Sequence, residues 1–175
     1  MKKYLLGVYV LLVFATPVLA QQLKWTEFKE PTLKFAVLFP AEPTKNDPQI
    51  SKRNDGTVES TGYLFIAGVT NTFVSLAGAT DYNFAVVAEA ELTADRDNFV
   101  NALKLKVTNN RRYDFQAGDE KLPALAFTMD GDTMAGKAIV VVRGNRAYMA
   151  AFVYQKGQDY AAAVDKFLDS FEITK

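Results

Sequence analysis

The sequence predicts an α+β domain, an antiparallel β-sheet sandwiched between helices, with an N-terminal β-hairpin. Three observations carry that expectation. The runs Ala124 to Met129, Met134 to Arg143 and Arg146 to Tyr154 are separated only by Asp130-Gly131-Asp132 and Gly144-Asn145, the spacing of strands that reverse on themselves. The middle run is apolar at every position from Ala138 to Val142 and the third is apolar or aromatic almost throughout, so both faces of these strands need cover. Finally, Tyr160, Val164, Phe167, Leu168 and Phe171 recur at helical spacing on a single stripe, with Asp165, Lys166 and Asp169 off it, which supplies one of those covers.

The chain begins with a segment that reads as an export signal. Lys2 and Lys3 precede the ten-residue apolar run Leu5 to Phe14, and Pro17 leads to Val18-Leu19-Ala20, so cleavage is expected after Ala20. The competing reading is an uncleaved membrane anchor, because Tyr4 to Ala20 carries no charge; its 17 residues sit at the short limit of the roughly 17 to 25 that span a bilayer. Gln21, not Cys, follows the cleavage point, so no lipid attachment is expected. The expected organisation is a signal over 1–20 and a single domain over 21–175, long enough to bury about two thirds of its unfolded surface without disulfides.

Within that domain, Lys24 to Lys29 is the first strand, Pro31-Thr32 a turn, and Leu33 to Phe39 the second strand, ended by Pro40. A polar loop with Pro43, Asn46, Asp47 and Pro48 leads to Gln49 to Asn54. Asp55-Gly56 is a two-residue hairpin signal, followed by extended runs at Val58 to Val69 and Thr72 to Asp81. Phe84 to Ala90 is ambiguous between strand and helix. Thr93 is placed as the cap of a helix with Asp95 and Asp97 in its first turns and Phe99, Val100 and Leu103 on one stripe. Val107 to Phe115 returns to strand, and Gly118 to Leu122 is a loop before Pro123. If Gly144-Asn145 is a two-residue turn, Val142 pairs with Ala147, Val140 with Met149 and Ala138 with Ala151, giving one alanine-rich face on which the closing helix is expected to dock.

Composition excludes much chemistry. With no His and no Cys there is no Ser-His-Asp or Cys-His nucleophile, no zinc site of the usual ligands and no disulfide. Without residues 1–20 the chain holds 18 basic against 20 acidic residues, so no nucleic-acid partner is expected, and no stable membrane insertion after cleavage. No cofactor, metal or catalytic residue is assigned. Asp130-Gly131-Asp132 offers two carboxylates to calcium but lacks the further oxygens such a loop needs, and reads as a turn chosen for tolerance of positive φ. Asn109-Asn110-Arg111-Arg112, with Arg143 and Arg146 facing each other across one turn, are the candidate anion or partner contact, Arg111, Arg112, Arg143 and Arg146 supplying the charge. Glu89, Glu91, Asp95 and Asp97 form the densest acidic cluster and read as stabilisers of a helix start; Glu89 and Glu91 point apart on either a strand or a helix. Tyr63, Tyr82 and Tyr113 are candidates to line a groove.

Trp25, Phe35-Ala36-Val37-Leu38-Phe39-Pro40, Arg146-Ala147-Tyr148 and Phe167-Leu168-Asp169-Ser170-Phe171, in this order and spacing, resemble the PsbP-like fold family, which includes DcrB-type extracytoplasmic proteins. The resemblance spans nearly the whole domain. It implies a PsbP-like α/β/α arrangement and a non-enzymatic accessory role, and carries over no binding residue; a metal-linked role is disfavoured by the absence of His. The expected function is that of an exported, periplasmic or secreted binding module docking on another envelope protein, the alternative being a carrier of a small apolar molecule or lipid in a pocket between sheet and helix.

Overall fold

In the computed structural model, residues 23–69 and 72–175 are described. The expected signal over 1–20 and its cleavage point lie outside them. The elements are β1 (Thr26–Glu30), β2 (Phe35–Phe39), β3 (Thr44–Lys45), β4 (Gln49–Lys52), β5 (Val58–Val69), β6 (Phe73–Tyr82), α1 (Ala88–Ala102), β7 (Lys106–Ala117), β8 (Glu120–Asp130), β9 (Met134–Arg143), β10 (Arg146–Gln155), α2 (Ala161–Asp169) and β11 (Glu172–Ile173). A large antiparallel sheet runs β3-β5-β6-β10-β9-β8-β7, with β4 also on β5, and a small sheet runs β1-β2-β11. Among the described residues the class is α+β, built mostly on antiparallel strands with two helices.

The large sheet has two buried faces. In the β9–β10 ladder Val142 pairs with Ala147, Val140 with Met149 and Ala138 with Ala151, in the register read from the sequence. The turn between them has Gly144 at φ +60° in its first central position, where a side chain would be strained. The face carrying Ala138, Val140, Ala147 and Ala151 holds Leu92 and Val100 of α1. The other carries Ile139, Val141, Tyr148, Ala150 and Phe152 and takes Val164 and Phe167 of α2 together with Phe35, Phe39 and Ile173 of the small sheet.

This corrects the expected docking of the closing helix. α2 packs on the aromatic face, with Phe167 fully buried and its ring centroid 5.5 Å from Phe39 and 5.9 Å from Phe152. The alanine-rich face belongs to α1, whose backbone the small side chains admit closely. α2 also ends earlier than the stripe suggests: Phe171 lies beyond the helix, 5.9 Å from Phe35 and 6.0 Å from Phe115. It leads into β11, a two-residue strand on β2 that periodicity does not reveal.

Four local expectations are likewise revised. The turn at Asp55-Gly56 is a three-residue loop, closed by Arg53 N–H donating to the Thr57 carbonyl and Gly56 N–H to the Arg53 carbonyl, each at 2.9 Å, with Gly56 at φ +86° as the left-handed third residue. α1 begins at Ala88 after an extended Val87, so Glu89 and Glu91, not Asp95 and Asp97, occupy its first turn. Thr93 sits mid-helix, its hydroxyl donating to the Glu89 carbonyl at 3.1 Å. The chain from Glu120 is strand, not loop: Pro123 lies within β8, which pairs with β9 only from Ala124 onward. Gly131 is not at positive φ; a Cβ there would stand 2.6 Å from Leu105 Cδ2, so a larger residue would require the Leu105 side chain to move.

α1 ends in a Schellman motif. Lys104 N–H donates to the Asn101 carbonyl and Leu105 N–H to that of Val100, while Lys104 adopts φ +56° where glycine is the usual occupant. No helix among the described residues is long and apolar enough to cross a membrane.

Candidate functional site

The four arginines singled out in the sequence have separate placements. Arg143 and Arg146 do face each other across the β9–β10 turn, and each is engaged. Arg146 donates through Nη2 to Asp81 Oδ2 at 2.9 Å and through Nη1 to the Leu33 carbonyl at 3.0 Å, tying the β1–β2 turn to the large sheet. Its hydrogen bond to Asp81 holds its pKa above the usual arginine value. Arg143 donates to Glu120 at 2.8 Å and to the Thr174 carbonyl at 3.0 Å, tying down the chain after β11. Both therefore clamp the small sheet onto the large one. Arg112 pairs with Glu89 and donates to Thr93 Oγ1 at 2.9 Å, on the α1 side. Arg111 points to the opposite side, its guanidinium 5.0 Å above the Tyr113 ring. The four do not form one anion site.

The acidic cluster is likewise divided by the helix. Glu89 belongs to Arg112 and Asp97 to Arg96, 2.8 Å away. Glu91 and Asp95 are four residues apart on one side of α1, and the Tyr82 hydroxyl donates to Glu91. Burial first, and then the neighbouring Glu91 charge, push the Asp95 carboxyl up to about 7. Burial and the hydrogen bond to Glu91 raise the Tyr82 hydroxyl, which keeps its proton and remains the donor. Asp95 borders a narrow cleft of about 180 Å³ with Thr80, Phe99 and Met149. The two carboxyls stand side by side on one helix, not opposed across that cleft, which is not the arrangement of a glycosidase pair. Asp130 is neutralised by Lys156 at 2.8 Å, and among the described residues no three acidic side chains are grouped to hold a metal.

Two larger clefts remain. One, of about 400 Å³, is lined by Val69, Phe73, Val74, Met134 and uncharged polar side chains at the end of the sheet, where nothing would orient a ligand by charge. The other, of about 320 Å³, lies where β7, β8 and β9 run out from under α2. α2 is only nine residues long and packs on β9, β10 and β2, leaving this part of the sheet face open. The ladders set its lining: Arg111 opposes Ala126, which opposes Ile139 on the other side, and Thr128 opposes both Asn109 and Lys137. With Leu168 of α2, the groove has an apolar floor of Ala126, Ile139 and Leu168 and a polar side of Asn109, Arg111 and Lys137. Lys137 is paired with Asp165 of α2 at 2.8 Å.

Of these residues, the sequence singles out Asn109 and Arg111. Ile139, Lys137 and Leu168 were placed on their elements, and their convergence with Arg111 follows only from two ladders and the correct face for α2. The three tyrosines do not share a groove: Tyr63 borders the Asp95 cleft, Tyr82 holds Glu91, and Tyr113 supports Arg111. A scan against protein-family models finds no match to the chain, and neither does a search of curated proteins, so its functional reading rests on its own residues and geometry.

Proposed function

We propose that the protein is an exported, non-enzymatic binding module that holds a small amphipathic molecule in the groove between α2 and the open part of the large sheet. The groove's composition carries the reading. Its volume of about 320 Å³ falls at the lower end of the roughly 300 to 1,000 Å³ of small-molecule sites. It combines an apolar floor with a few polar groups on one side, as such sites do. Export rests on the N-terminal residues, and a PsbP-like scaffold is in keeping with an antiparallel sheet that has a helix on each face.

The test is native mass spectrometry of the protein purified from its own cells. A molecule of a few hundred daltons retained one-to-one and released on denaturation is expected, on a chain that starts at Gln21. A bare chain contradicts the ligand, and Met1 retained on a membrane-bound product contradicts cleavage after Ala20 and release from the membrane.

A second reading, docking on another envelope protein, is favoured by β7. Among the described residues this edge strand of 12 residues pairs with β8 alone, leaving its outer backbone groups available to an added strand. Among the described residues the exposed large apolar side chains are Ile50, Val74, Val87 and Leu103, on four separate segments of the chain. In the same spectrum, docking predicts a retained protein mass and no small one.

A further inference from the structure

Building on the groove reading, we propose that the ligand is a single-chain fatty carboxylate, with its headgroup on Arg111 and its chain over Ala126, Ile139 and Leu168. Of the six arginines, Arg53, Arg96, Arg112, Arg143 and Arg146 each hold a carboxylate, and Arg111 holds none among the described residues. Its guanidinium instead lies over the Tyr113 ring at 5.0 Å, a contact that leaves its N–H fork free for a ligand. Its planar fork matches a carboxylate bidentately. Because Lys137 is already balanced by Asp165, the groove carries one uncompensated positive charge and is complementary to a monoanion rather than to a phosphate dianion. A volume of about 320 Å³ suits one chain of moderate length and excludes a two-chain lipid from lying wholly within it.

The experiment is calorimetric titration of the mature chain at pH 8 with decanoate, decanol and butyrate, all below their aggregation limits. Decanoate is expected to bind one-to-one, with decanol and butyrate each about tenfold weaker or more, because one lacks the charge and the other the chain. Arg111→Gln should remove the preference for decanoate over decanol at an unchanged thermal midpoint, Arg111→Lys should keep part of it, and Lys52→Gln, a loss of charge elsewhere, should change nothing. Equal binding of decanol and decanoate by the wild-type chain overturns the carboxylate assignment while leaving the groove intact. Failure of both ten-carbon ligands to bind, or butyrate binding as tightly as decanoate, overturns the groove reading itself. The comparison of ligands on the wild-type chain stands even if the Arg111 variants fold poorly.

Discussion

Asp95→Asn should make the protein more stable in mild alkali, and the reason lies in how α1 is seated. Asp95 is largely enclosed beside Glu91, and its carboxyl titrates near 7 instead of the usual value near 4. A folded-state pKa raised above the unfolded one means that the folded chain binds the proton more tightly. The associated stability is therefore fully present below about pH 4 and is lost progressively as pH rises to and just beyond 7. A shift of about three units corresponds to roughly 4 kcal/mol at 1.36 kcal/mol per unit, and partial solvent screening of the half-buried carboxyl makes about 2 to 4 kcal/mol the working range. Asparagine keeps a donor toward Glu91 and carries no charge. Urea denaturation followed by the fluorescence of Trp25 at pH 5, 7 and 9 should show wild-type stability falling by that amount, and the Asp95→Asn variant staying nearly level and exceeding wild type at pH 9. Parallel pH profiles for the two proteins would refute the argument, because they would mean that Asp95 is solvated and titrates alike in both states.

Three further outcomes follow from packing and backbone geometry. Phe167→Ala should lose about 3 to 5 kcal/mol in chemical denaturation, since the ring is fully buried between Phe39 and Phe152; a loss below about 1 kcal/mol would mean that α2 is not seated there. Lys104→Gly should raise stability by about 0.5 to 1 kcal/mol, measured the same way, because glycine adopts the left-handed conformation at the end of α1 without strain. Arg146→Gln should cost about 2 kcal/mol by removing a bidentate pair with Asp81 and the bond to the Leu33 carbonyl, and should speed amide exchange in β1 and β2 before the large sheet is affected.

The central hairpins were legible because two features agreed. Gly144-Asn145 pins the β9–β10 register, and the uninterrupted apolar run through Ala138 to Val142 leaves no polar face to turn outward. The same run concealed which helix covers which side: when both faces are apolar, periodicity does not choose between them. The choice was made by the small sheet, whose Phe35 and Phe39 form an aromatic layer that accepts Phe167, while the alanines left room for α1. α1 itself was misplaced because Thr93 is a good cap residue standing mid-helix, whereas the true start at Val87 has no capping side chain. That error separated Glu91 from Asp95, which a helix begun at Ala88 brings to one side. The groove was legible only in the Asn109 to Arg111 segment, since Lys137, Ile139 and Leu168 reach it through pairings far apart in the chain.

The claim that the groove under α2 is the binding surface is tested most directly by amide NMR of the mature chain titrated with decanoate. The shifts are predicted to concentrate at Asn109 to Arg111, Ala126 to Thr128, Lys137 to Ile139 and Leu168, with saturation at one equivalent. Shifts centred instead on Asp95 and Phe99, or around Val69 and Met134, or an unchanged spectrum, would contradict it.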